Sequence, residues 1–85
     1  MTFKIWMRRH YRNGISDKGS LARHICTDDS FPMNGYGKFD GWHSVIADYL
    51  HDHGAAPFVM MTFEQCWEEY VKCEKERLNR SSHKR

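Results

Sequence analysis

Trp42-His43-Ser44-Val45-Ile46-Ala47-Asp48-Tyr49-Leu50 and Thr62-Phe63-Glu64-Gln65-Cys66-Trp67-Glu68-Glu69-Tyr70, separated by a break containing Pro57, decide the fold class. In the first stretch Trp42, Val45, Ile46, Tyr49, Leu50 and His53 fall on one face of a 3.6-residue period. Gly54 sits where a left-handed residue closes a helix. The second stretch opens with a capping box, Thr62-x-x-Gln65, and Met61 is placed to staple against Cys66. Its inner stripe is Phe63, Cys66, Trp67, Tyr70, Val71 and Cys73. Glu74 and Arg77 dilute that stripe, so this helix is predicted to leave the core beyond Cys73. Two aromatic-rich helices with sharp punctuation imply a packed domain.

The flanking sequence supplies two more helices. Phe3, Trp6, Met7, His10 and Tyr11 form an apolar stripe, with Lys4, Arg8, Arg9 and Arg12 opposite and Ile5 among the cations. Thr2 can cap this helix, and Asn13-Gly14 offers a left-handed stop. Ser16 or Asp17 can cap a weaker helix ending near Asp28, with Leu21 and Ile25 inward and Gly19 lowering its propensity. Phe31 to Phe39 reads as an ordered loop, with Gly35 and Gly37 for turns and Phe31, Met33, Tyr36 and Phe39 as apolar anchors. No repeat or strand-like alternation is present. The expectation is an all-α four-helix bundle with helices at 2–13, 17–28, 40–53 and 62–78. Trp42, Ile46, Tyr49, Phe63, Trp67 and Tyr70 are expected to be buried together. Residues 1–78 form the domain, and 79–85 are a frayed basic tail.

Size and composition bound the rest. Eighty-five residues make one domain, because a chain of this length buries roughly 60% of its unfolded surface and supports a single core. At 14% aromatic, that core can form without staples, since each buried ring removes about 150–250 Å² from water. Three cysteines, Cys26, Cys66 and Cys73, have no framework spacing and read as reduced thiols. No apolar run approaches the ~18 residues of a membrane span, and a cytoplasmic location is expected. Six histidines invite a metal reading, but there is no Cys-x-x-Cys, His-x-x-x-His or His-Glu-x-x-His. His51-x-His53 and His24-x-Cys26 point to different helix faces. Nor is there a nucleophile–base–orienter set or a phosphate-binding glycine loop. The chain is therefore expected to have no catalytic residues, metal, cofactor or small-molecule substrate.

Ser30-Phe31-Pro32, then Trp42-His43 with Ile46 and Tyr49-Leu50, then Phe63 with Trp67 and Tyr70 resemble the YozE SAM-like family. These are small proteins of Gram-positive bacteria and their mobile elements. The resemblance covers about residues 3–72 and implies a fold similar to sterile-alpha-motif bundles, which host both protein adaptors and nucleic-acid binders. Its motifs are core-forming and carry no chemistry. The extra glycines at 33–41 and the basic tail past Lys72 depart from the family pattern.

Charge placement is the one feature with functional content. Net charge is +2, but residues 1–27 and 70–85 are basic and 28–69 acidic, an asymmetry that speaks to partners rather than fold. One reading is non-specific binding to a nucleic-acid backbone through Lys4, Arg8, Arg9, Arg12, Lys72, Lys75 and Arg80. The alternative is a protein-interaction adaptor or self-association, in which the acidic middle (Asp48, Asp52, Glu64, Glu68 and Glu69) meets a basic end. Convergence of the two basic segments on one surface favours nucleic acid; opposite placement favours association. The Trp and Tyr side chains fall on apolar stripes and read as core, with only Tyr36 a candidate for stacking on a base.

Overall fold

A computed structural model describes residues 1–34, 39 and 41–83, without the side chains of 80–83. The turn glycines Gly35 and Gly37, Tyr36 and the Arg80 side chain lie outside the described residues. The order is α1 (Phe3–Tyr11), α2 (Asp17–Cys26), α3 (Trp42–Asp52) and α4 (Pro57–His83). Helix α4 packs against each of the other three, and α1 packs against α2. At ~1.5 Å per residue, the 27 residues of α4 span about 40 Å, nearly the 45 Å long axis of the molecule.

Local chemistry sets three of the helix boundaries. Thr2 Oγ1 accepts from the Ile5 amide at 3.2 Å, and Ser16 Oγ accepts from the Gly19 amide at 3.4 Å. The end of α3 closes in a Schellman pattern, with the Gly54 amide on the His51 carbonyl and the Ala55 amide on the Leu50 carbonyl, both at 3.0 Å. That pattern needs Gly54 at φ +81°, where a Cβ is strained.

The stop expected at Asn13-Gly14 forms differently. The Gly14 amide donates to the Tyr11 carbonyl at 2.9 Å, but Gly14 is not left-handed. The close approach is made at Gly19. A Cβ on Gly19 would lie 2.1 Å from the Gly14 carbonyl oxygen, so the glycine that weakens α2 by propensity is what lets the α1–α2 turn fold onto it.

The start of α4 corrects the sequence reading. The helix begins at Pro57 rather than Thr62, because proline at the first helical position loses no hydrogen bond and presets φ. The Ala56 carbonyl accepts from Val59 and Met60 at 2.9 and 3.1 Å. Thr62 is therefore interior and buried, and its hydroxyl donates to the Phe58 carbonyl at 3.0 Å. No capping box or Met61–Cys66 staple forms. Met61 is exposed while Cys66 is buried.

The core centres on Phe3, whose ring lies 5.2–5.6 Å from those of Phe63, Trp67 and Tyr70. Ile46, Phe63, Trp67 and Tyr70 are buried as expected, with Leu21, Ile25 and Leu50. Trp42 and Tyr49 are only half-buried at the margin. The Tyr49 hydroxyl leaves the core to donate to Asp28 at 2.5 Å. Val45, His10, His53 and Cys73, all assigned to inner stripes, are exposed.

A polar network on the core's edge was not foreseen. Glu74, expected to face water, is 2% exposed. It accepts from the Met1 ammonium at 2.6 Å and from Arg77 at 2.9 Å. Asn34, also buried, accepts from the Phe3 amide at 2.9 Å and donates to the Tyr70 hydroxyl at 2.7 Å. That hydroxyl donates to the Met1 carbonyl at 2.6 Å. Every buried polar group of this set is partnered, which the low interior dielectric demands.

Candidate interaction surface

The cations on α1 do not share one fate. Phe3, Trp6 and Met7 face the core, which turns Arg8 and Arg12 outward. Arg8, Arg9 and Arg12 are exposed and take no ion-pair or side-chain hydrogen-bond partner among the described residues. Lys4 is half-buried, and its ammonium donates to the Asp28 carbonyl at 2.8 Å, so it ties α1 to the end of α2 instead of pointing to solvent. Arg23, which the sequence reading passed over, reaches back from α2 to the carbonyls of Arg12 and Gly14 at 3.1 and 2.5 Å. It adds a further positive charge beside Arg12.

The second basic segment lies elsewhere. Tyr70 is buried against α1. At about 100° per residue, Lys72 and Lys75 sit roughly 200° and 140° around α4 from it. Both are exposed on the outer face of α4, interleaved with the exposed Glu68 and Glu76. The α1 arginines and the α4 lysines thus occupy opposite sides of the α1–α4 pair and do not converge. Arg77 is turned toward Glu74.

The acidic residues also divide. Asp48, Asp52 and Glu68 are exposed. Glu64 faces His43, 2.8 Å from Nε2. Glu69 is half-buried and engaged within the fold, accepting from both Lys18 and the Tyr11 hydroxyl. Burial pushes its carboxyl up, but Lys18 and Tyr11 outweigh this and hold it below the usual range. The same hydrogen bond holds the Tyr11 phenol above its ordinary value. Burial raises the Cys66 thiol to about 11, leaving it an inert, apolar-facing group. Among the described residues no three of His, Cys, Asp and Glu converge as metal ligands, and no helix is long and apolar enough to cross a membrane.

An apolar surface escaped the sequence reading. Helices α2, α3 and α4 enclose a cleft of about 370 Å³ whose floor includes Leu21, Leu50, Ala55 and Val59, with Asp17, His24 and His53 among its lining. Phe58, in its lining, and Met61, in the adjoining depression, are 58% and 64% exposed, and Ile15, one residue before that depression's Ser16, is 101% exposed. One sequence signal existed: Ile15 is an apolar, β-branched residue in a helix–helix turn, where polar residues are the rule.

A four-helix core with its unpaired charges on exposed faces is a small helical bundle of the SAM-like class. The chain belongs to the YozE SAM-like fold family, whose sequence profile matches residues 2–72. No curated protein and no solved structure matches it.

Proposed function

We propose that this chain is a non-enzymatic protein-interaction module whose cationic α1 face docks on an acidic protein surface. The observation that carries this reading is the placement of charge. Arg8, Arg9 and Arg12 are exposed and unpaired on one side, while Lys72 and Lys75 lie on the other among Glu68 and Glu76. A nucleic-acid backbone rewards a continuous basic track. Three guanidiniums neutralise about three phosphates, giving a log–log salt slope of only about −2.7 on duplex DNA. A protein partner needs no such track, because a few complementary charges around a small contact suffice for steering and register.

The test is capture of cytosolic partners on the immobilised chain, with and without nuclease. An acidic protein retained after nuclease, and lost with the Arg8→Gln, Arg9→Gln, Arg12→Gln triple variant, is the expected result. Capture of nucleic acid alone overturns it.

A phosphate-binding reading keeps one specific support: the three free cations of α1 are all arginines, whose planar fork matches phosphate bidentately where lysine does not. Titration of labelled duplex and single-stranded oligonucleotides at ~50 mM salt, where electrostatic binding is strong, separates the two readings.

A further inference from the structure

Apolar knobs and an apolar hole sit side by side on one end of the bundle. Ile15 projects fully from the α1–α2 turn, and Phe58 and Met61 project from the first two turns of α4. Phe58 and Met61 border a shallow depression whose other wall is Ser16, Asp17 and Lys18, the residues that follow Ile15. Phe58, Asp17 and Thr62 line both this depression and the 370 Å³ cleft between α2, α3 and α4. Depression and cleft are therefore one continuous surface, and Ile15 immediately precedes Ser16 at its edge. Nothing in the fold requires these apolar side chains to be outside, and contiguous exposed apolar patches on small domains mark interaction sites.

Charges of opposite sign flank Ile15 along the chain. Arg12 lies three residues before Ile15 and Asp17 two residues after it. Both are exposed, and neither has an ion-pair partner among the described residues. We infer that this surface pairs with a second copy of the chain about a two-fold axis, Ile15 and Phe58 of each copy covering the other's cleft and Arg12 of each meeting Asp17 of the other.

The second copy is favoured over an unrelated partner because the patch is self-complementary. A two-fold contact uses the same surface on both molecules, so every group must find its complement within that surface. Phe58 adjoins the cleft here, and Arg12 and Asp17 stand at the two ends of the short turn that carries Ile15. A head-to-tail contact would instead need the matching features on another part of the molecule. The interface shares Arg12 with the α1 docking face proposed above but uses neither Arg8 nor Arg9, so those two arginines separate the proposals.

The experiment is sedimentation equilibrium and light scattering on the whole chain from micromolar to near-millimolar concentration, with circular dichroism to check folding. Wild type should rise reversibly from 10.2 kDa to twice that mass and stop. Ile15→Asp, at a fully exposed position that cannot disturb the core, should weaken pairing about tenfold or more, as expected for a charge placed in an apolar contact. Asp17→Arg alone should weaken it by charge repulsion, and Arg12→Asp combined with Asp17→Arg should restore it. Mere apolar stickiness would give no such rescue.

Wild type that stays monomeric throughout, mass that grows without closing at the dimer, or Ile15→Asp pairing as wild type each overturns the two-fold interface. Arg8→Gln with Arg9→Gln should leave the dimer mass unchanged while weakening capture of an acidic partner, so failure of one proposal is distinguishable from failure of the other.

Discussion

Glu74 shows how far a single residue can depart from its pattern. A carboxylate on a helix stripe is normally a solvated interruption, and the alternation of Glu74, Lys75, Glu76 and Arg77 supports that reading. What turns it inward is the Met1 ammonium, 73 positions away in sequence, a partner that no local window can supply. Burial alone would raise its carboxyl, but Arg77 and the ammonium prevail and hold it below the ordinary carboxylate range. Because the folded value is the lower one, the pair contributes stability above the unfolded carboxyl range near ~4.3. That contribution is lost as pH falls through the folded value. Glu74→Gln should cost about 1.5–3 kcal/mol at neutral pH, the range for a hydrogen bond to a charged group, and flatten the acid limb of the stability profile. Thermal melts of both chains from pH 7 to pH 3 measure this; acid limbs that run parallel would show that the pair is not coupled to folding. Trp67 is the opposite case, a residue whose burial the period gave directly. It contacts Phe3, Phe63 and Tyr70 at 5.2–6.0 Å. Trp67→Ala should cost roughly 3–5 kcal/mol, most of the stability of a domain this size. A soluble variant melting within a degree or two of wild type would contradict its place in the core.

Among the elements, α1, α2 and α3 were legible because periodicity and punctuation agree within each. Thr2, Ser16 and Gly54 perform the boundary chemistry that their residue types suggest. The misread boundary was α4. Proline breaks a helix interior yet favours a helix start, and the sequence before Pro57 does not say which role applies. The run Phe58-Val59-Met60-Met61 sides with a start, since it extends the apolar period backward from Phe63. Gly19 was misjudged for a related reason: propensity sees the helix and not what packs on it. Replacing it with alanine isolates the conflict. Propensity favours the alanine by about 1 kcal/mol. A Cβ there would lie 2.1 Å from backbone, the Gly14 carbonyl oxygen, which cannot rotate away as a side chain does. Overpacking of this kind costs about 1–3 kcal/mol, so Gly19→Ala should be net destabilising despite its better propensity. Urea unfolding decides the sign, and a variant more stable than wild type would mean that the turn relaxes freely.

For the whole molecule, the sequence exposed the separation of charge but not its geometry. A basic–acidic–basic order along the chain is compatible with one basic surface or with two, and the choice depends on how α1 crosses α4. Phe3 and Trp6 lie against Tyr70, which sends the α1 arginines and the α4 lysines in opposite directions. Hydrogen bonding then thins the α1 set, since Lys4 is spent on the Asp28 carbonyl, a contact that depends on where α2 ends. The apolar end at Ile15, Phe58 and Met61 was hidden because a pattern read for helices assigns apolar residues inward by default. These placements make the two basic segments separable by mutation. Lys72→Gln with Lys75→Gln removes as much charge as Arg8→Gln with Arg9→Gln, and all four side chains are exposed, so neither variant should shift stability by more than about 0.5 kcal/mol. If α1 alone is the docking face, the arginine pair should abolish salt-sensitive capture of an acidic partner while the lysine pair leaves it within about twofold. Two charges of equal sign removed at equal distance from a diffuse field would weaken capture alike. Measured side by side at low and physiological salt, equal losses from the two variants would point to a polyanion gripping both sides of the bundle, and a loss confined to the arginines to a partner seated on α1.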